Sequence, residues 1–251
     1  MTDPLAARPA PIVWHVAAVR EIVEESERAR TLVFDVPEWP GHRAGQHVDV
    51  RLTAPDGYQA QRSYSIASAP EQGTVSLTVE RITDGEVSPY LVDVAEVGDE
   101  LELRGPIGRP FTWSVRDGGP LLLVGGGSGI VPLMSMLRHR AAQGDPVEAR
   151  LLASSRSPAL GLYAAELREI GPRENLEVAW TYTREAPAGW TGWTRRVDAE
   201  MLAELAPPPS SRPRAFVCGP TPFVETVSDL LVDAGHDPLR IHAERFGPTG
   251  I

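Results

Sequence analysis

A short run of polar and aromatic residues, "QRSYSIAS" at positions 61 to 68, lies where the surrounding sequence is typical of β-strands. A half-buried strand alternates apolar and polar side chains, but this run carries Arg62, Ser63, Tyr64 and Ser65 in succession. An arginine can pair with a phosphate, a phenol can stack on a flat ring, and a hydroxyl can hydrogen-bond to a ring heteroatom. The run therefore indicates either a platform for a ligand or an edge strand with solvated polar groups.

A cluster of glycines indicates a second place for a phosphate. The stretch "LLLVGGGSGIVPLMSML" puts Gly126, Gly127, Ser128 and Gly129 between an apolar strand and a helix. Glycines let the backbone approach a ligand closely, and the start of the following helix offers unpaired N–H groups to an anion. A tight strand–helix turn needs only one glycine, so nucleotide binding is favoured. The ordinary dinucleotide fingerprint spans six residues and ends in glycine. Counted from Gly125, its last position is Ile130, so this stretch is not that fingerprint.

Two kinds of domain are needed to position these motifs. Between Trp14 and Gly105, short strand-like segments alternate with turns rich in Gly, Pro and Asp, which predicts an antiparallel β-barrel or sandwich, of which we expect the barrel, with one short helix at 87–94. From about Asp117, apolar strands alternate with helices expected at 130–142, 160–170, 198–205 and up to 234, which predicts a parallel-sheet α/β domain. We expect a flexible tail at 1–11, a barrel domain at 12–116 and an α/β domain at 117–251, with ligands beyond the carboxyl ends of the parallel strands.

The composition narrows the function further. The formal net charge of −10 argues against binding of nucleic acid or of an anionic membrane. Neither a membrane span nor the apolar core of a signal peptide is present, so a cytoplasmic location is expected. We also expect a monomer. The single cysteine, Cys218, excludes an internal disulfide, a four-cysteine zinc site and an iron–sulfur cluster held by this chain, and we expect no metal.

Three motifs occur together in one order: Arg-x-Tyr-Ser, then GGGSGxxP, then "CGP". In this combination the chain resembles the ferredoxin–NADP reductase superfamily from residue 12 to residue 251. The resemblance implies that the barrel binds FAD and that the α/β domain binds NADPH or NADH. It also implies that Arg62 holds the FAD pyrophosphate, that Tyr64 packs on the isoalloxazine ring and that Ser65 lies near the reactive flavin nitrogen. Ser63 is included in the same expected cofactor contact.

A second element for the FAD pyrophosphate is implied by "GEVSPYL", which resembles the family's short helix after the fifth strand. The matching residues are Gly85, Val87 and Ser88. The start of a helix suits this task, because its N–H groups favour an anion. A capped helix without a ligand is the alternative reading of these residues.

The resemblance implies a reactive centre at the end of the strand "FVCGP". By this resemblance we expect the matching cysteine, Cys218, to face the nicotinamide and the flavin, and Gly219 and Pro220 to turn the chain toward the cofactor. The resemblance to bacterial relatives also implies that Glu244 and Phe246 border the flavin ring. The expected catalytic residues are Ser65, Cys218 and Glu244. The alternative is a buried cysteine that acts as a small hydrophobe, beside a charged strand end with a core phenylalanine.

Two arginines bear on the choice between NADPH and NADH. Ser155 and Arg156 follow the second strand of the α/β half, and Thr183 and Arg184 follow the third. A 2′-phosphate needs cationic partners, whereas the 2′-hydroxyl of NAD usually meets a carboxylate, and none ends the second strand. "TRE" resembles the Ser-Arg-Glu element of NADP-dependent relatives, with Thr183 in place of serine. Each arginine alone is more often a solvated surface residue, but together they favour NADPH.

The motifs predict an FAD-dependent oxidoreductase that passes a hydride from NADPH to flavin and then electrons to a separate acceptor. The expected acceptor is a ferredoxin or another redox protein, because the length and the single cysteine leave no room for a fused ferredoxin domain. A stand-alone flavin or quinone reductase is the alternative enzyme. A flavin-bearing regulatory subunit is the non-enzymatic alternative, although such relatives usually carry a cysteine cluster that this sequence lacks.

Overall fold

The first half of the chain folds into an antiparallel β-barrel. The computed structural model describes residues 12–108, 110–171 and 175–247, so the expected tail at 1–11 lies outside the described residues. Within these residues the first sheet contains β1 (Val13–Ser26), β2 (Ala29–Asp35), β3 (His47–Thr53), β4 (Gln59–Ser65), β5 (Val75–Glu80) and β6 (Glu100–Ile107). The strands pair antiparallel in the order β4-β3-β6-β1-β2-β5. An isolated bridge between Ile66 and Leu77 connects the end of β4 to β5, and along the rest of β4 the described part of the barrel is open.

Apolar side chains from all six described strands of the first sheet fill the barrel. The fully buried ones include Leu32, Phe34, Val50, Leu77 and Leu103. Burying such a side chain contributes about 1.5–3 kcal/mol. β4 differs, since its burial pattern has Ala60 buried while Arg62 and Ser63 are exposed. The polar run that stood out in the sequence is therefore a weakly buried strand at the open side of the barrel.

The helix expected at 87–94 is a π-helical turn, Tyr90–Val94, after a first helical turn at Ser88 and Pro89. The N–H of Leu91 donates to Val87 O at 3.1 Å, and that of Ala95 donates to Tyr90 O at 2.9 Å. Val87 and Leu91 are fully buried in the barrel core. Packing of these two side chains, rather than helix length, holds the segment across the end of the barrel.

The second half is an α/β domain, as expected. Within the described residues its strands are β7 (Leu121–Gly126), β8 (Ala149–Ser155), β9 (Leu176–Tyr182), β10 (Arg214–Pro220) and β11 (Ile241–Phe246). They pair parallel in the order β11-β10-β7-β8-β9. The helices are α1 (Ile130–Ala142), α2 (Ala164–Ile170), α3 (Ala199–Leu205) and α4 (Thr221–Asp233). β7 is central and buried at every position, which confirms the prediction from its apolar run.

The helices cover both faces of this sheet. Leu121 and Leu123 of β7 belong to the core formed with α1 and α2, whereas Leu122 and Val124 belong to the core formed with α3 and α4. Successive strand residues point to opposite faces, so a strand buried on both faces must be apolar at every position. The carboxyl ends of the strands remain as the edge where a ligand can enter.

One predicted helix boundary is wrong. The helix expected from Leu160 begins at Ala164, after a separate 3-10 turn at Pro158–Leu160. Tyr163 precedes it with a left-handed φ of 59°, a conformation that cannot continue a right-handed helix. None of the helices in the described ranges is long and apolar enough to cross a membrane.

Helix α1 attaches the α/β domain to the barrel. Ser135 Oγ donates to Ser68 O at 2.7 Å, and Arg138 Nη1 donates to Ala67 O at 2.8 Å. His139 Nδ1 lies 2.7 Å from Glu71 Oε1. These contacts hold α1, whose N-terminal end carries the glycine-rich turn, beside the segment that leaves β4. The two motifs that were singled out in the sequence are thereby brought to the same side of the molecule.

Candidate active site

Strand alternation divides the polar run of β4 between two faces. Arg62 and Tyr64 pair in register with the buried Val50 and Val48 of β3, so their side chains lie on the inner face of the sheet. Tyr64 is half-buried and packs against the barrel core. Burial raises the pKa of the Tyr64 hydroxyl well above its ordinary value, although nearby Arg62 opposes the shift. The ring is therefore a neutral, partly exposed surface at the open side of the barrel.

Ser63 lies on the opposite face from Arg62 and Tyr64. Its hydroxyl donates to Asp49 Oδ1 at 2.6 Å, and Arg104 Nη2 donates to Asp49 Oδ2 at 2.6 Å. Asp49 is buried, so these hydrogen bonds satisfy a charge inside the sheet. A cofactor contact from Ser63 stays a prediction, and the engaged hydroxyl leaves the backbone as the part best placed to make it.

Hydrogen bonds to Ile82 hold the turn from Gly85 to Ser88. Ser88 Oγ accepts from Ile82 N at 3.0 Å, and Gly85 N donates to Ile82 O at 3.0 Å. A Cβ added to Gly85 would lie 2.9 Å from Ser88 Oγ, which explains the glycine. Because Val87 and Ser88 are buried, a pyrophosphate at this turn would meet backbone N–H groups rather than these side chains.

Sequence reasoning missed an ion pair that joins this turn to β4. Arg62 Nη2 donates to Glu86 Oε2 at 2.7 Å, and the other carboxylate oxygen accepts from the Tyr58 hydroxyl. The hydrogen bond from Tyr58, followed by the charge of Arg62, lowers the pKa of Glu86 below its ordinary value. The sequence signal was the glutamate inside "GEVSPYL", but only the fold shows that it reaches the motif arginine.

The glycine-rich turn packs closely against neighbouring protein atoms, and side chains at two of its positions would clash with them. Gly126 ends β7, and Gly127–Gly129 form one 3-10 turn before α1. A Cβ on Gly129 would lie 2.1 Å from Cys218 O, and one on Gly126 would lie 3.0 Å from the Phe223 ring. Gly127 has a φ of +57°. Gly127 is exposed and Ser128 half-exposed, so this turn presents its backbone and one hydroxyl at the carboxyl edge of the sheet.

The three expected catalytic residues converge through a residue that sequence reasoning missed. Cys218 pairs in register with Glu244 across β10 and β11, and Ser65 pairs in register with His47 across β4 and β3. His47 Nδ1 lies 3.6 Å from Glu244 Oε1, which connects the two pairs across the domain boundary. Among the described residues, Glu244 Oε2 is buried without a hydrogen-bond partner. No sequence spacing could have linked His47 to a residue on the last strand.

Cys218 itself is almost fully buried, with 1% of its surface exposed. Burial, followed by the charge of Glu244, raises its pKa well above the ordinary value for a thiol. A thiol in this state is a poor nucleophile, because the thiolate is the reactive form. The side chain can contribute shape and polarisability beside a ligand, but not covalent attack.

The residues that follow Cys218 and the end of β11 lie at the same carboxyl edge of the parallel sheet. Pro220 precedes α4 and pairs in register with Phe246, whose side chain is 38% exposed. A Cβ on Gly219 would lie 2.8 Å from the Phe223 ring. The residues after Gly247 lie outside the described residues.

The expected 2′-phosphate residues meet at the ends of β8 and β9. Thr183 N donates to Ser155 O at 2.9 Å, and Arg184 N donates to Arg156 O at 3.0 Å. Both arginine side chains are exposed. Ser155 is buried and its hydroxyl donates to Ser157 O at 2.9 Å, so that hydroxyl is already engaged. The backbones of the two arginines are thus hydrogen-bonded to each other, so both guanidinium groups extend from neighbouring positions.

An aromatic cluster beside these arginines was also missed in the sequence. Tyr182 N donates to Trp193 O at 3.1 Å, and the Tyr182 and Trp190 ring centroids lie 5.0 Å apart at an angle of 66°. Trp180 stacks on Tyr182 with centroids 5.9 Å apart. The spacing "WTYT…GWTGW" contained the signal, but the loop had to fold back on β9 before these rings could meet.

Comparison with known proteins defines the class of this site. Residues 17–112 match the family described as oxidoreductase FAD-binding domain, and residues 123–229 match the family described as oxidoreductase NAD-binding domain. The chain therefore carries one domain for FAD and one for a pyridine nucleotide. Together and in this order the two matches cover most of the chain, which therefore belongs to the oxidoreductases that carry an FAD-binding domain followed by an NAD-binding domain.

Individual relatives agree with this family. The glycine betaine monooxygenase reductase subunit of Pseudomonas aeruginosa (strain UCBPP-PA14) is 33% identical over 240 residues, which cover 94% of this chain and 65% of that subunit. The chain is thus shorter than that relative. The FAD/NAD-binding domain of nitric oxide dioxygenase from Vibrio cholerae O1 biovar El Tor is 26% identical, with a TM-score of 0.83 over 93% of this chain and 99% of that domain.

A third comparison concerns the fold alone. The ferredoxin NADP+ reductase from Neisseria gonorrhoeae is 22% identical, with a TM-score of 0.78 over 94% of this chain and 99% of that protein. The expected fold, an antiparallel barrel followed by a parallel α/β sheet, is confirmed.

The residues present fit both cofactors. The partly exposed Tyr64 ring and the Arg62 guanidinium at the open side of the barrel suit a flat ring and a pyrophosphate. The exposed Gly127, where an added Cβ would lie no closer than 3.9 Å to Glu80 Oε2, leaves the backbone of the glycine-rich turn open to the close approach of a nucleotide. The unpartnered oxygen of Glu244 leaves an acceptor free between the domains.

Proposed function

We propose that this protein takes a hydride from NADPH onto FAD and passes the electrons to a separate acceptor, a ferredoxin or another redox protein. The observation that carries the proposal is the convergence of both domains on one edge. His47 Nδ1, next to Ser65 in register, lies 3.6 Å from Glu244 Oε1, and Glu244 pairs with Cys218. Transfer between two bound molecules requires that both domains hold their groups in fixed relative positions.

The chain's own residues have separable tasks in this proposal. FAD, when bound, supplies the redox chemistry, because it can accept a hydride and release electrons one at a time. Arg62 offers a guanidinium to the pyrophosphate, and Tyr64 offers a ring whose position is set by the barrel core. Cys218 acts in positioning, since burial raises its pKa and keeps it a thiol at neutral pH.

The preference for NADPH over NADH is part of the proposal. It is supported by the exposed Arg156 and Arg184, which the Arg184 N to Arg156 O hydrogen bond brings together at 3.0 Å. It is also supported by the absence of a carboxylate among Ser154, Ser155 and Arg156 at the end of β8, where NAD-binding sheets usually carry one.

A separate acceptor is supported by a relative rather than by a surface of this chain. The Pseudomonas aeruginosa relative is named a reductase subunit of a monooxygenase, which describes a protein that works with another component. We extend that arrangement to this chain and propose a soluble redox protein as its partner.

The function is tested with the purified chain in three steps. It should bind FAD, NADPH should bleach the flavin absorbance under anaerobic conditions, and a candidate ferredoxin should accelerate reduction of cytochrome c. A colourless protein that cannot be loaded with FAD would refute the proposal. Reduction of free flavin or quinone at the same rate with and without ferredoxin would favour the stand-alone reductase.

A further inference from the structure

The two elements assigned to the FAD pyrophosphate are connected by an ion pair. Arg62 of β4 donates to Glu86 at 2.7 Å, and Glu86 belongs to the Gly85–Ser88 turn. The Arg62 side chain is 47% exposed and the Glu86 side chain 43% exposed, so the pair lies at the surface where a ligand would enter. The second carboxylate oxygen accepts from the Tyr58 hydroxyl, which fixes the carboxylate in place.

A carboxylate and a phosphate use the same donors on arginine. The planar guanidinium binds either anion through paired N–H groups. In this structure Nη2 donates to Glu86 and Nη1 donates to Gln61 O at 2.7 Å. A pyrophosphate that is to engage these nitrogens must therefore displace Glu86 or share the guanidinium with it.

We propose that Glu86 is an internal competitor of FAD, which holds Arg62 when the flavin is absent and lowers FAD affinity when it binds. This inference rests on the proposed function, because it takes Arg62 to be the partner of the FAD pyrophosphate. Glu86 is then a residue that limits the affinity of the flavin site, and FAD binding exchanges one anion on Arg62 for another.

The charge of Glu86 acts in the same direction as the competition. The hydrogen bond from Tyr58 and the charge of Arg62 lower the pKa of Glu86, so it stays ionised at neutral pH. Its position directly before the backbone N–H groups of Val87 and Ser88 places a carboxylate beside the pyrophosphate site. Like charges in contact weaken binding, although solvent and salt screen the effect at a surface.

The barrel offers a matched control pair. Arg51 Nε donates to Glu102 Oε2 at 2.8 Å, and both residues lie in the first sheet. Arg51 follows Val50 on β3, so its side chain lies on the face opposite to Arg62. Glu102→Gln therefore removes an arginine–glutamate ion pair of the same sheet, whose side chains are 23% and 36% exposed, without touching the flavin site.

The test is a set of FAD titrations of the apoprotein, followed by quenching of flavin fluorescence. Wild type is compared with Glu86→Gln, Glu102→Gln, Arg62→Ala and the double variant Arg62→Ala/Glu86→Gln. We expect Glu86→Gln to lower the Kd for FAD by about two- to fivefold, a range set by the modest strength of exposed ion pairs. Glu102→Gln should leave the Kd unchanged, and Arg62→Ala should raise it. The gain from Glu86→Gln should shrink when Arg62 is absent.

Each outcome decides a different point. An unchanged or higher Kd for Glu86→Gln would overturn the inference while the proposed function stands. An equal gain with and without Arg62 would also overturn it, because Glu86 would then act by repulsion alone and not by competing for the arginine. If Arg62→Ala binds FAD as tightly as wild type, the assignment of Arg62 in the proposed function fails together with the inference.

Discussion

Replacing Arg156 and Arg184 by alanine tests the proposed choice of NADPH. Both guanidinium groups are exposed, and a 3.0 Å hydrogen bond joins the backbones of the two arginines. We therefore expect one phosphate to reach both side chains. A charge-assisted hydrogen bond contributes about 1.5–3 kcal/mol, and the low end applies to exposed groups. Two contacts at the low end contribute about 3 kcal/mol, which corresponds to a loss of roughly 100-fold in kcat/KM.

The assay is steady-state kinetics with NADPH and NADH on wild type and on the double alanine variant. We expect kcat/KM to fall for NADPH and to stay nearly constant for NADH, which has no 2′-phosphate. High salt should reduce the preference of wild type, because exposed charges are screened. Arg212→Ala is the control, since Arg212 is an exposed arginine before the amino end of β10, at the opposite edge of the sheet. Equal losses for both nucleotides, or a wild type that prefers NADH, would refute the assignment of these two arginines.

Further predictions concern the reactive edge and the stability of the fold. Cys218→Ala should retain FAD and the fold but slow flavin reduction by NADPH in stopped-flow measurements, by up to about 100-fold if the cofactors shift by ~1 Å; an unchanged rate would make Cys218 a core residue only. Gly129→Ala should slow the same step or unfold the domain, because its Cβ would lie 2.1 Å from Cys218 O, whereas Gly171→Ala should be tolerated with its nearest neighbour at 3.5 Å. Burial lowers the pKa of His42, His236 and His242 below the ordinary value of a histidine, so as the pH falls below about 6.5 the unfolded chain binds more protons than the folded one. The free energy of unfolding, measured in urea, should therefore fall as the pH is lowered through this range, with a smaller fall in His236→Asn, and a rise on acidification would contradict the argument.

Much of the α/β half could be predicted because its signals are local. The apolar run of β7 predicted a strand buried on both faces, and the helix expected at 130–142 is α1 with the same bounds. Asp198 was expected at a helix start, and its side chain accepts from Met201 N at the N-terminus of α3. Hydrophobic periodicity and capping depend on residues within a few positions, so the sequence contains them directly.

The same local reasoning failed where the surrounding structure determines the backbone. Tyr163 adopts a left-handed conformation, and its hydroxyl donates to Thr78 of the barrel. The contact between domains accompanies a break in a segment that reads as one helix in the sequence. The helix expected at 87–94 is present at residues 88–94, but most of it is a π-helical turn, next to the Val87 and Leu91 side chains that are buried in the barrel core.

By itself the sequence determined the types of the functional residues and the order of their motifs, from Arg62 through Gly127 to Cys218. Only the tertiary structure decided which side chains meet. It turned Ser63 toward Asp49, joined Arg62 to Glu86, and placed His47 beside Glu244. These contacts depend on strand register, where a slip of one residue moves a side chain to the other face, and on closure of a barrel against a separate sheet. Neither register nor domain contact is encoded in neighbouring residues, because both are set by packing between segments far apart in the chain.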